Sequence, residues 1–92
     1  MCTSIVEIVG AAGAGKGGDG WFELTHSVVS YDHPHHAVLE EAINIDFVNA
    51  ALGPEARVAV ELTLEAAKQL SGALARAIAA AEIEESGRLR NT

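Results

Sequence analysis

The sequence predicts an α+β domain: a four-stranded antiparallel sheet, made of two hairpins, covered on one face by a C-terminal helix. Three observations carry this expectation. Two runs rich in β-branched and aromatic residues flank a glycine-rich segment at residues 10–20. Two alternating runs flank the turn dipeptide Gly53-Pro54. Beyond Thr63 the apolar period changes from two to three or four, the spacing of a helix face.

The first strand is expected over residues 3–12, where Ile5, Val6, Ile8 and Val9 cluster. Residues 13–20 hold five glycines with Lys16 and Asp19, and are expected to form a long loop. Residues 21–31 (WFELTHSVVSY) give the second strand. Pro34 cannot donate a ladder hydrogen bond, so DHPHH (32–36) marks a turn or strand end. HAVLEEA (36–42) fits either one helical turn or the start of a strand. In AINIDFVN (42–49), Ile43, Ile45 and Phe47 alternate with Asn44, Asp46 and Val48, as a half-buried strand requires. Val58, Val60 and Leu62 alternate in the same way.

Thr63 is a good N-cap, and Glu65 places a negative charge in the first turn. Ala67, Leu70, Leu74, Ala77, Ile78 and Ala81 form one face of a helix expected to reach about Glu85. Gly87 is expected to end it, so that residues 1–87 are one domain and 88–92 a disordered tail.

Size and charge narrow the functional classes. The chain has 92 residues, enough for one small domain with a radius of gyration of roughly 12 Å if compact. Its apolar fraction is 49%, but alanine alone supplies 17 residues, so large core-forming side chains are few. A thin core calls for a disulfide, a metal or a partner subunit, and one cysteine makes no internal disulfide. That leaves a metal or a partner subunit, and with one sheet face left uncovered by a single helix a homodimer is expected. The net charge of −7 disfavours nucleic acid and anionic membrane surfaces as partners. The lone cysteine fits a reducing cytoplasm. Neither a signal peptide nor a membrane span is evident.

GAAGAGKGGDG (10–20) approaches the phosphate-binding loop G-x-x-x-x-G-K-[ST]. That loop needs a hydroxyl after the lysine and a helix beyond it. Here Gly17 holds the hydroxyl position, and Trp21-Phe22 open a strand. No nucleotide cofactor is expected; Lys16 is the residue to follow if the segment gates or contacts a partner.

The chemistry-bearing cluster lies elsewhere. All four histidines, His26, His33, His35 and His36, fall between residues 26 and 36, with Asp32 among them. Imidazole and carboxylate suit zinc, iron or copper. A hairpin loop centred near Gly17 would set Cys2 opposite Asp32 and Ile8 opposite His26. Cys2, Asp32, His33 and His36 are then candidate metal ligands, and His26 a further ligand or supporting group. Glu40, Glu41 and Asp46 are further carboxylates in reach. Two alternatives stand beside a metal-binding protein or metal-dependent enzyme. One is metal-free thiol or histidine acid–base catalysis at Cys2. The other is a non-catalytic homo-oligomeric interaction or small-ligand-binding module with the histidines in a solvated turn.

The Met-Cys-Thr start, GKGGDGWF (15–22), YDHPHHA (31–37), NIDFVN (44–49) and RVAVEL (57–62) together resemble a family of small bacterial proteins of unknown function. The resemblance spans about residues 1–82. His33 and His36 fit its pattern, and His35 departs from it. It implies a soluble bacterial single domain and no particular activity.

Overall fold

The computed structural model describes residues 5–33 and 42–90. The element order is β1 (Ile5–Gly17), β2 (Gly20–Asp32), β3 (Ala42–Val48), a short 3-10 turn (Ala50–Leu52), β4 (Arg57–Leu62) and α1 (Leu64–Arg90). The four strands form one antiparallel sheet in the order β1-β2-β3-β4, so each strand pairs with its neighbour in sequence. The fold is α+β, as the alternating runs and the change of period require.

The first hairpin is longer and tighter than expected. Residues 13–17 are strand rather than loop, and Gly17 pairs with Gly20 across Gly18-Asp19. Gly20 has φ of +118°, while neither Gly18 nor Asp19 has a positive φ. That fits the three-residue hairpin connection in which a glycine takes the left-handed position. Low glycine β-propensity is overridden at Gly15 and Gly17, which lie against large partners. A side chain on Gly15 would meet Leu24 and Val58, and one on Gly17 would meet Phe22.

The register corrects a second expectation. Ile5 lies opposite Tyr31, Ile8 opposite Val28 and His26 opposite Gly10. The turn is centred between Gly18 and Asp19 rather than on Gly17, and this together with the irregularity beyond Gly13 moves the pairing by two residues. Between Gly10 and Gly13 the register shifts: Ala11 and Ala12 together face Thr25, as in a β-bulge. Burial changes phase at the same place. Phe22 and Leu24 are half-buried, Thr25 and His26 are both exposed, and Ser27 is buried.

Asn49 closes β3. Its side chain accepts from Ala51 N at 3.1 Å and donates to Glu23 O at 2.9 Å. Gly53 (φ +98°) completes the turn by donating to Ala50 O. Thr63 caps α1 as expected, its Oγ accepting from Ala66 N at 3.0 Å and its carbonyl from Ala67 N at 2.9 Å. Gly87 does not end the helix, which continues to Arg90. A helical glycine costs about 1 kcal/mol, too little to stop a helix of this length.

Directly opposed residues share a face. One face of the sheet therefore carries Ile5, Val9, Val29, Ile43, Ile45 and Val60, and is apolar. The other carries Ser30, Asn44, Asp46, Arg57 and Glu61, with Val6 and Ile8 on β1. Leu64, in the first turn of α1, reaches the apolar face beside Ile5, Tyr31 and Ile43. Ala66 and Ala67 are half-buried, but from Lys68 to Arg88 every residue except Gly72 and Gly87 is exposed.

The expected covering of one face by α1 is thus not made within the chain. Leu70, Leu74 and Ile78 are about half exposed and Ile83 is 73% exposed. Among the described residues, Ala42 is the only buried apolar one. The radius of gyration is 16.0 Å and the long dimension 54 Å, well beyond the compact expectation, because the helix does not fold across the sheet. Among the described residues, no helix is long and apolar enough to cross a membrane.

Candidate functional site: a polar cleft on the second sheet face

The sheet positions polar groups from its last three strands on one face. β2 supplies Ser30 and Asp32, β3 supplies Asn44 and Asp46, and β4 supplies Arg57 and Glu61. With His33 at one end, they line a cleft of about 120 Å³, room for a few waters or a small polar group. The pairings Ser30–Asn44, Asn44–Glu61 and Val48–Arg57 set this arrangement. Arg57 Nη2 donates to Asp46 Oδ1 at 3.1 Å, which holds the guanidinium along the cleft. Asp32 Oδ1 accepts from the His33 backbone N–H at 2.7 Å, a short local bond that fixes the carboxylate at the strand end.

Asn44 lies in the middle. Its Nδ2 makes two long contacts of 3.5 Å, to the carbonyls of Asp32 and Ala42. Its Oδ1 is buried and, among the described residues, has no hydrogen-bond partner. A buried acceptor left this way costs about 1–3 kcal/mol unless a donor reaches it, so the cleft favours occupants that carry N–H or O–H groups.

The histidine cluster is divided by the strand. Asp32 and His33 both line the cleft. His26 lies six residues back on β2, about 20 Å from Asp32 at the rise of an extended strand. Its Nδ1 is 3.0 Å from Thr25 Oγ. One ion cannot be shared across that span, so His26 does not join Asp32 and His33 as a ligand. Cys2, His35, His36, Glu40 and Glu41 lie outside the described residues. Among the described residues, no three His, Cys, Asp or Glu side chains converge as a metal centre would require. The other expected carboxylate, Asp46, is in the cleft and engaged by Arg57.

Sequence reasoning missed Asn44, Arg57 and Glu61. The signal was available: AINIDFVN and RVAVEL alternate, and pairing them across Gly53-Pro54 puts their polar members on one side. The glycine-rich segment, in turn, lacks the surroundings of a phosphate-binding loop. It runs into an antiparallel strand rather than a helix. Its tip lies beside Leu52 and Ala56 of the second connection. Trp21 is 71% exposed there.

The family model described as Family of unknown function (DUF6295) matches residues 1–87. The chain belongs to this family. The match covers both the sheet and nearly all of the helix, so the DUF6295 domain includes the polar cleft and the exposed helix together. No curated protein and no solved structure matches the chain.

Proposed function

We propose that this DUF6295 protein is a non-catalytic, homo-oligomeric binding module. Its apolar surfaces serve self-association, and its polar cleft takes a small ligand with hydrogen-bond donors. The observation that supports this reading is how little apolar surface the described residues bury. Ala42 is the only buried apolar residue among those described, while Ile5, Val9, Leu70, Leu74 and Ile78 stay about half exposed. Monomers of this size seldom leave so much apolar surface in water, and small chains without disulfides gain their missing burial from partners. Sedimentation velocity over a range of concentrations tests it. A dimer or larger species is expected throughout; a folded monomer at all concentrations sinks the reading.

A second reading retains metal chemistry. Asp32 and His33 line the same cleft, and Cys2 and His36, which lie outside the described residues, have side chains that would complete with them a ligand set suited to zinc, iron or copper. Such a site would make the protein a metal carrier or a metal-dependent enzyme. Elemental analysis of untagged protein tests it. Stoichiometric metal that falls in Cys2→Ser and His33→Ala but not in His26→Ala is the expected result. Background metal in the unaltered protein overturns it.

A further inference from the structure

We infer that α1 of one copy lies across the apolar sheet face of a second copy, and that the exchange is reciprocal. The inference rests on the homo-oligomeric reading above and names the surfaces that meet. Among the described residues two apolar surfaces stay exposed, and they fit each other. The first is the ridge Leu70, Leu74 and Ile78 on α1, spaced four residues apart so that it runs along one side of the helix. The second is the sheet face bearing Ile5, Val9, Val29 and Val60. Near Ile5, Tyr31, Ile43 and Leu64 that face holds an apolar hollow of about 340 Å³.

The dimensions agree. The ridge from Leu70 to Ile78 is about 12 Å long, and the strand segments that bear the facing side chains, residues 5–9 and 27–31, extend about 17 Å. The charge pattern agrees as well. From Leu70 to Ala81 the helix carries a single charged residue, Arg76. A helical stretch this poor in charge is one that becomes buried. The charges resume at Glu82, Glu84 and Glu85, beyond the ridge. On the facing sheet, over residues 5–9, 27–31, 43–47 and 58–62, Glu7 is the only charge among the described residues on that face. Two chains of net charge −7 repel, so a contact between copies has to run through surfaces with little charge, and these two qualify.

The area is sufficient. Ile5, Val9, Tyr31, Val60, Leu64 and the ridge each keep a third to two-thirds of their surface exposed. Their summed exposure is on the order of 800 Å², one partner's share of a standard interface. Reciprocal exchange gives a closed two-fold assembly in which each copy supplies one helix and receives one. The direction of α1 supports exchange over closure onto its own sheet: after Ala67 the helix leaves the face to which Leu64 is anchored.

Cross-linking between single-cysteine variants tests this in the full chain. In a Cys2→Ser background, Leu74→Cys, Val9→Cys and Val60→Cys are made singly, and Ile78→Cys serves as a second helix position. Circular dichroism checks that each one folds. Helix and sheet variants are mixed, unfolded, refolded together and treated with a bismaleimide. Cross-linked dimers are expected from helix–sheet mixtures, at several-fold higher yield than from either variant alone. If the protein sediments as a dimer but cross-links form only between two helix variants, the exchange is overturned and self-association stands. If the protein is a monomer, and the double variant Leu74→Cys/Val9→Cys bridges within one chain, both readings fall.

Discussion

Asn49 and Glu23 join the end of β3 to the distal arm of the first hairpin, with Asn49 Nδ2 donating to the Glu23 carbonyl at 2.9 Å. The same side chain caps the following turn through Ala51 N, and Asn49 is only 6% exposed. It therefore holds two elements with one buried amide.

Asn49→Ala removes both bonds and leaves the Glu23 carbonyl and the Ala51 N–H without this partner. A loss of about 2 kcal/mol is expected, read as a lower denaturant midpoint at unchanged slope. Asn49→Asp keeps the acceptor for Ala51 N but loses the donor to Glu23, so its cost at neutral pH should be at least as large. A loss below about 0.5 kcal/mol in both variants would show that the amide does not tie these elements together.

Thr63→Ala removes the N-cap bond to Ala66 N. About 1 kcal/mol is expected to be lost, and Thr63→Ser should restore most of it. Equal stability of the alanine and serine variants would count against the cap.

Two glycines of the first hairpin should respond oppositely. Gly20 sits at φ +118°, so Gly20→Ala is expected to destabilise by about 1–2 kcal/mol. Gly18 has no positive φ, and a side chain there meets nothing within 4 Å. Gly18→Ala should be neutral or stabilising by up to about 1 kcal/mol. Thermal melts of both variants decide it; a reversed order contradicts the turn type.

Arg57 and Asp46 form a partly solvated pair, with side chains 49% and 28% exposed. Arg57→Ala should cost only about 0.5 kcal/mol, and less at high salt. A loss of several kcal/mol would mean that Arg57 has a partner beyond Asp46.

If folding and association are coupled, stability depends on protein concentration. For a dimer of this size, a tenfold rise in concentration should raise Tm by about 4 °C. A Tm independent of concentration argues for a chain that folds alone.

The strands and the helix were legible because their periods differ, and Thr63 and Gly53-Pro54 punctuate them. The hairpin arm at residues 13–17 was not. Glycine reads as loop by propensity, yet Gly15 and Gly17 are strand because large side chains of β2 and β4 fill the space beside them. The separation of His26 from Asp32 was legible in principle, since six residues of strand span about 20 Å; nearness in sequence concealed it. The cleft was harder to see, because Arg57 and Glu61 join Asn44 and Asp46 only through a register fixed by the second turn. That α1 does not cover the apolar sheet face of its own chain has no signature in the sequence, because an amphipathic helix reads the same whichever sheet it packs on.

The sequential strand order also bears on how the chain reaches its native state. Each strand meets the one before it, joined by connections that need no crossover, so the sheet can zip from either hairpin through nearby contacts. Little within a single chain then remains to be slow. If the copies complete each other, refolding should become second order in protein at low concentration, with a fast unimolecular phase for the sheet followed by an encounter-limited phase for the helix. Chains made sparsely would wait, with Ile5, Val9 and the ridge from Leu70 to Ile78 still in water, for a second chain to arrive.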